Sequence, residues 1–250
     1  ETVGLFSAAA TPMGILLIVP GVVMESVFPA FSGYGGRRTA GLARSYQVSY
    51  KALLASGFAM GVGVMVVAPQ VVLIVYGAEF GGAVPALRIM AVQLLTMVGY
   101  VNGAFLHATN QQALFARIRV GLAALNAVLC LALIPRWGHV GAATATVVPG
   151  VLDLFLYTAL CHRYLELEFP WGLLLKTAAG ATAMAAVALL ALRVGVPLAA
   201  VILLVAPLTY GAVLVALRVL GRADVEFLRS IAPLVGWRRR ILGRMGAHGR

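Results

Sequence analysis

The sequence predicts an all-α protein, a polytopic membrane helical bundle with about seven transmembrane helices, and three observations lead to this class. Hydrophobic residues make up 62% of the 250 residues, charged residues only 11%, and the mean hydropathy is +0.97. Since soluble domains carry about 25% charged residues, a soluble domain is excluded, and so is a disordered chain. The apolar residues also form stretches long enough to cross a bilayer, without the alternation typical of a membrane barrel.

The first three predicted spans cover residues 3–24, 52–75 and 83–106. Each approaches the ~20 apolar residues that a helix needs to cross the hydrocarbon core. In the second span, Gly57 and Gly61 form a G-x-x-x-G pattern, which we interpret as packing within the chain rather than as a dimer face. The glycine-rich residues 76–85 predict a tight turn before the third span, with Pro85 able to begin the next helix.

The last four predicted spans cover residues 120–134, 140–160, 171–192 and 198–217. Pro135 ends the first of these four, because proline cannot continue a helical hydrogen-bond ladder. Small residues from Gly141 onward allow the following helix to pack closely on a neighbour. We therefore expect a transmembrane bundle over residues 1–220 and a basic cytoplasmic tail over residues 221–250.

Positive charge predicts the orientation of the chain. Sixteen of the 19 Lys and Arg residues fall on one side of the predicted spans, whereas only Arg136 and Arg193 fall on the other. Because Lys and Arg in short loops stay in the cytoplasm, the C-terminus is expected there and residue 1 outside. A chain that begins outside with Glu1 and no signal sequence is expected to be the C-terminal part of a longer transporter with two repeated bundles.

Several short motifs follow one another in a fixed order between residues 3 and 165. They are Val3-Gly4-Leu5-Phe6-Ser7-Ala8-Ala9, Phe28-Pro29-Ala30-Phe31-Ser32, Tyr76-Gly77-Ala78-Glu79-Phe80, Asn126 with Ile134-Pro135, and Gly138-His139-Val140-Gly141-Ala142-Ala143. Together they resemble the C-terminal half of bacterial polysaccharide-export flippases. These transporters share a superfamily with the lipid II flippases and the multidrug and toxic-compound extrusion antiporters.

The resemblance implies a fourteen-helix transporter in the bacterial cytoplasmic (inner) membrane, with two bundles around a central cavity. Its substrate would be a polyprenyl-pyrophosphate-linked oligosaccharide, flipped by alternating access for polysaccharide, O-antigen or related cell-envelope glycan synthesis. A glycan polymerase or another envelope-assembly protein is a candidate partner. A drug or organic-cation antiporter of the same superfamily, and a non-transporting scaffold of an envelope-polymer assembly, stay open as alternatives.

Three charged residues, each inside a predicted span or at its end, are candidates for the substrate or ion path, because charge in a bilayer is costly. Asp153 follows Pro149-Gly150, where an interrupted helix would leave carbonyls facing a cavity; the alternative is a buried carboxylate satisfied by a neighbour. Arg88 could bind pyrophosphate, but we prefer that it extends to the interface or pairs with Glu79. Glu25 is a third candidate, or a partner of the following arginines.

Uncharged polar residues are further candidates for the substrate path. Gln93, Asn102 and Asn126 could hydrogen-bond sugar hydroxyls if they face the cavity, although such side chains more often join helices to each other. Their orientation is not given by the sequence.

Basic residues outside the spans predict binding to anionic membrane lipid. Arg37, Arg38 and Arg44 lie in a segment, residues 31–51, that we interpret as an interfacial linker. Arg238, Arg239 and Arg240 lie in the tail, where each basic residue is worth ~1 kcal/mol near an anionic surface. We expect no nucleic acid partner, since topology accounts for most of the net charge of +11. No metal, cofactor or catalytic residue is expected, because no metal-ligand spacing, phosphate-binding loop or hydrolase triad is found.

Overall fold

The computed structural model describes residues 2–18, 20–21, 28, 31–33 and 39–219, and these residues form helices with no β-strand among them. The helices are α1 Thr2–Leu16, α2 Ala40–Tyr76, α3 Ala78–Ala108, α4 Gln112–Leu165, α5 Trp171–Arg193 and α6 Leu198–Ala216. Within this described part, five helices, α2 to α6, are long and apolar enough to cross a membrane. The predicted all-α membrane bundle is therefore confirmed.

Seven spans were predicted, whereas five helices within the described residues are long enough to cross a membrane. Part of the difference arises because α4 contains two of the predicted spans. Gly138 interrupts α4 with φ 55° and ψ −129°, outside the helical region. Asn126 reaches the carbonyl oxygen of Ala145 at 2.9 Å. In a straight helix those two residues would be about 28 Å apart. Thus α4 is a hairpin with a first arm over 112–137 and a second arm over 139–165, and its reversal suits glycine because φ is positive.

The remaining difference in the count concerns the first predicted span. It begins as α1, a shorter apolar helix that ends at Leu16. Residues 19 and 22–24 of the predicted span lie outside the described residues, as do residues 220–250 with the predicted tail. The division into a bundle and a tail stays a prediction.

α2 approaches α3 at two glycines that leave no room for a side chain. A β-carbon at Gly57 would meet the carbonyl oxygen of Leu94, and one at Gly61 would lie 2.9 Å from the carbonyl oxygen of Ala91. Small residues let helix backbones come this close. The interpretation of the G-x-x-x-G pattern as packing within the chain is confirmed.

Residues 40–51, predicted as part of an interfacial linker, instead form the first turns of α2. Tyr46 and Tyr50 are buried there, and the Tyr46 hydroxyl donates to Asn102 Oδ1 at 2.8 Å. Asn102 Nδ2 in turn donates to Thr158 Oγ1 at 3.1 Å. Because these residues come from α2, α3 and the second arm of α4, the network fixes three helices at one end of the bundle.

The opposite end of the bundle is also tied together. A ring nitrogen of His139, directly after the α4 reversal, lies 2.9 Å from the carbonyl oxygen of Gly82 in the first turns of α3. Successive helices therefore run in opposite directions. The described basic residues of the predicted cytoplasmic loops lie at the end of the bundle away from His139. We call that end the basic end; its orientation in a membrane stays a prediction.

α5 and α6 pack beside α2. The Tyr210 hydroxyl of α6 donates to the carbonyl oxygen of Ala55 at 2.7 Å, which ties α6 directly to α2. The ring of Tyr210 also contacts α5, where a β-carbon at Gly180 would lie 3.2 Å from it. Tyr210 thus ties α6 to α2 by a hydrogen bond and to α5 by a ring contact.

Candidate substrate pocket

A half-open pocket of about 410 Å³ lies between α3 and the two arms of α4. It extends from the middle of the bundle toward the basic end. Its lining combines apolar side chains with polar ones; the polar ones are Gln93, Thr96, His107, Arg119, Thr146 and Asp153. A pocket with converging polar groups inside an apolar bundle is the default candidate for a binding site.

α3 departs from regular helical geometry where it lines this pocket. Gly99 N–H donates to the carbonyl oxygen of Thr96 at 2.9 Å, and Tyr100 N–H donates to that of Met97 at 3.1 Å. These bonds span three residues instead of four, so the helix is locally tightened, a change that often marks a functional hinge. The Thr96 hydroxyl also donates to the carbonyl oxygen of Gln93 at 2.9 Å, within the same turn.

An ion pair crosses the pocket between the two arms of α4. Arg119 Nη1 donates to Asp153 Oδ1 at 3.3 Å. The Arg119 side chain is 62% exposed, whereas that of Asp153 is only 13% exposed. The carboxylate therefore forms part of the wall, and the guanidinium keeps further N–H donors facing the opening.

Aromatic rings form the wall next to this ion pair. The Arg119 guanidinium lies 5.7 Å from the centre of the Phe115 ring, within cation–π range. Phe115 stacks on Tyr157 with ring centres 4.9 Å apart, and the Tyr157 hydroxyl donates to the Phe115 carbonyl oxygen at 2.9 Å. The ring of His107 lies 4.9 Å from that of Phe115 on α3's side. These contacts hold the aromatic surface in place.

The structure brings two of the predicted site residues, Asp153 and Gln93, into this pocket. The predicted helix break before Asp153 is not found, because the second arm of α4 stays helical through Pro149 and Gly150. Arg119, which sequence reasoning placed in a loop, joins them as the partner of Asp153. Tyr100, His107 and Phe115 are pocket residues that sequence reasoning did not single out.

Arg88 and Asn126 contact backbone oxygens instead, and a proline explains each contact. Pro69 has no N–H, so the carbonyl oxygen of Met65 lacks its usual donor, and Arg88 Nε donates to it at 3.2 Å. Pro149 likewise leaves the carbonyl oxygen of Ala145 without a donor, and Asn126 Nδ2 supplies one at 2.9 Å. Neighbouring side chains commonly satisfy carbonyls freed by proline in membrane helices.

The other candidate residues lie outside the polar pocket or outside the described residues. Asn102 is fully buried in the network with Tyr46 and Thr158, so it is not open to a ligand. Arg44 is exposed on the first turns of α2. The remaining candidates lie outside the described residues: Glu25, Arg37, Arg38, Arg238, Arg239 and Arg240.

A second pocket, also about 410 Å³, lies between α2, α5 and α6 and is lined almost entirely by apolar side chains. Met60, Val64 and Val67 come from α2, and Met184 comes from α5. Among the residues that the structure describes, no group of three His, Cys, Asp or Glu side chains is placed to hold a metal ion.

Comparison with known proteins gives one informative relative. No family model matches the sequence. The chain is 27% identical over 176 residues to a Haloferax volcanii protein named "Probable low-salt glycan biosynthesis flippase Agl15". The match covers 68% of this chain but 36% of the relative, so the chain spans about a third of the relative's length. The similarity is to an archaeal protein.

Proposed function

We propose that this chain is the C-terminal lobe of a transporter that moves a lipid-linked glycan across a membrane. The single observation that carries the proposal is the polar pocket between α3 and the arms of α4, because it places an ion pair and hydrogen-bonding groups inside an otherwise apolar bundle. Charged groups inside a membrane are costly and mark substrate paths. The similarity to a protein named as a glycan biosynthesis flippase supports the same function.

The finer features of the proposal rest on the family resemblance of the sequence, and the two pockets are compatible with them. The substrate is a polyprenyl-pyrophosphate-linked oligosaccharide, and transport occurs by alternating access between this lobe and a second one. The polar pocket takes part of the head group, while the apolar pocket beside α5 and α6 suits a hydrocarbon chain. Cell-envelope glycan synthesis in a bacterial cytoplasmic membrane, with the basic end in the cytoplasm, is the proposed setting.

A drug or organic-cation antiporter is less well supported by the geometry. Such a transporter would use Asp153 as an acid free to bind a cation, but the Arg119 guanidinium already occupies Oδ1 at 3.3 Å. A cation that bound the other oxygen, Oδ2, would lie close to the Arg119 guanidinium, and like-charge repulsion opposes this. The ion pair therefore favours a glycan substrate over a cationic one.

The test uses the full-length parent protein in liposomes loaded with a fluorescent polyprenyl-pyrophosphate oligosaccharide. We expect the lipid to move between leaflets and Arg119→Gln to reduce the rate at least about tenfold, because a charge-assisted hydrogen bond is worth about 1.5–3 kcal/mol. Arg193→Gln, at an exposed position at the end of α5, is the matched control and should retain the rate. Pumping of a lipophilic cation dye without glycolipid movement would contradict the proposal, and binding of envelope proteins without movement would point to a scaffold.

A further inference from the structure

We infer that the polar pocket binds neutral sugar units of the substrate and not its pyrophosphate. This inference rests on the proposed glycan transport and assigns a ligand class to one part of the path. Among the described residues that line the pocket, the charged ones are Arg119 and Asp153, and they are paired with each other at 3.3 Å. The lining is therefore balanced in charge.

A pyrophosphate would be poorly held by this arrangement. Tight binding of phosphate uses cationic forks whose N–H donors are free for the phosphate oxygens. Here a phosphate that took Arg119 would lie against the Asp153 carboxylate, which is only 13% exposed and cannot be screened well by water. Two anions at close range repel each other, so the aspartate works against pyrophosphate binding.

A sugar ring, in contrast, finds both kinds of contact that it needs. Its hydroxyl groups donate and accept, and the Arg119–Asp153 pair and the Gln93 amide offer acceptors and donors in the same pocket. Its apolar C–H faces can lie against the ring of Tyr100, which is 43% exposed. The volume of about 410 Å³ is at the lower end of the range for small-molecule sites, about 300–1,000 Å³, and suits a short stretch of glycan.

Gly99 leaves space beside the second oxygen of the Asp153 carboxylate. A β-carbon at this position would lie 2.9 Å from Asp153 Oδ2. Because Oδ1 accepts from Arg119, Oδ2 is the oxygen placed to accept from a ligand hydroxyl. A site built to hydrogen-bond a hydroxyl discriminates strongly against ligands that lack it.

Asp153→Asn separates the two ligand classes, because they predict opposite signs. For a sugar, the variant loses a charge-assisted acceptor, so affinity should fall about tenfold. For pyrophosphate, it removes the repelling anion and frees Arg119, so affinity should rise. The measurement is the dissociation constant of the full-length protein in nanodiscs for two probes: lipid-linked oligosaccharide extracted from the source membranes, and polyprenyl pyrophosphate without sugar.

We expect Asp153→Asn to weaken binding of the oligosaccharide lipid about tenfold and to change binding of the bare polyprenyl pyrophosphate less than twofold. Tyr100→Ala, at a partly exposed ring with no described hydrogen bond, should weaken only the oligosaccharide lipid by severalfold, and Arg193→Gln should weaken neither. Tighter binding of the bare lipid by Asp153→Asn would overturn the inference. If the unaltered protein flips the oligosaccharide lipid and both pocket variants bind it with unchanged affinity, the inference is also overturned. Failure of the unaltered protein to flip the lipid would instead refute the proposed function.

Discussion

Replacing Arg88 with Ala tests whether this arginine stabilises a carbonyl freed by proline or binds substrate. Its Nε donates to the carbonyl oxygen of Met65, which Pro69 leaves without the helical donor. If that contact is the role of Arg88, the cost of Arg88→Ala depends on Pro69. In a Pro69→Ala background the new N–H supplies the missing hydrogen bond, and the loss of Arg88 should then cost little.

The magnitude follows from the geometry of this bond. Hydrogen bonds between membrane helices average ~0.6 kcal/mol and reach ~1.7 kcal/mol. The donor here is charged, which strengthens the bond, but the site is exposed and the length is 3.2 Å, which weakens it. We therefore expect Arg88→Ala to cost about 1 kcal/mol in the unaltered background. This corresponds to a fall in Tm of about 2–4 °C for a domain of 150–250 residues.

The assay is thermal unfolding of the full-length protein in detergent for the two single variants and the double variant. A coupling energy of about 1 kcal/mol between positions 69 and 88 supports the carbonyl-capping role. Equal costs of Arg88→Ala in both backgrounds would refute it. Transport in liposomes adds an independent readout: a substrate ligand would lose transport in both backgrounds, whereas a capping residue regains it with Pro69→Ala.

Three further predictions concern packing and hydrogen bonding inside the bundle. Asn126→Ala should lower stability by about 1 kcal/mol, and Pro149→Ala should remove that cost in the same thermal assay. Gly57→Ala should be less stable than Gly63→Ala by about 1–3 kcal/mol, because a β-carbon at Gly57 meets α3 whereas one at Gly63 has nothing within 4 Å. Both variants gain the same helix propensity, so this gain cancels in the comparison. Asn102→Leu should cost about 1–3 kcal/mol by removing the acceptor of the buried Tyr46 hydroxyl, and stability equal to that of the unaltered protein would contradict the network.

The features that the sequence predicts well are those set by local physical chemistry. The composition requires membrane helices, since a backbone in lipid must satisfy its own hydrogen bonds. Proline predicts a helix end at Pro135, and the structure places the reversal three residues later, at Gly138. The packing role of Gly57 and Gly61 also follows from residue size. The number of helices was predicted less well, because one non-helical residue, Gly138, is all that separates the two arms of α4.

The candidate site was harder to predict, because its residues are distant in sequence and their partners depend on packing. Arg119 was counted with the loop cations, although it pairs with Asp153. A signal was available: Arg119 and Asp153 lie at equal distances along the chain on either side of Arg136, as do the contacting residues Phe115 and Tyr157. Folding the sequence back at the predicted turn would have placed both pairs at the same level.

The polar residues within the helices fall into two groups according to what they contact. Arg88 and Asn126 donate to backbone carbonyls that prolines leave free, so their polar character is already explained by the helices themselves. Arg119 and Asp153 contact each other across a pocket, and nothing in the helix backbone requires either charge there. Since an apolar pair would pack in a membrane bundle at lower cost, the folding of this lobe does not account for the ion pair. A ligand that needs both a donor and an acceptor does account for it, and for this reason the search for substrate contacts should begin at Arg119 and Asp153 and not at Arg88.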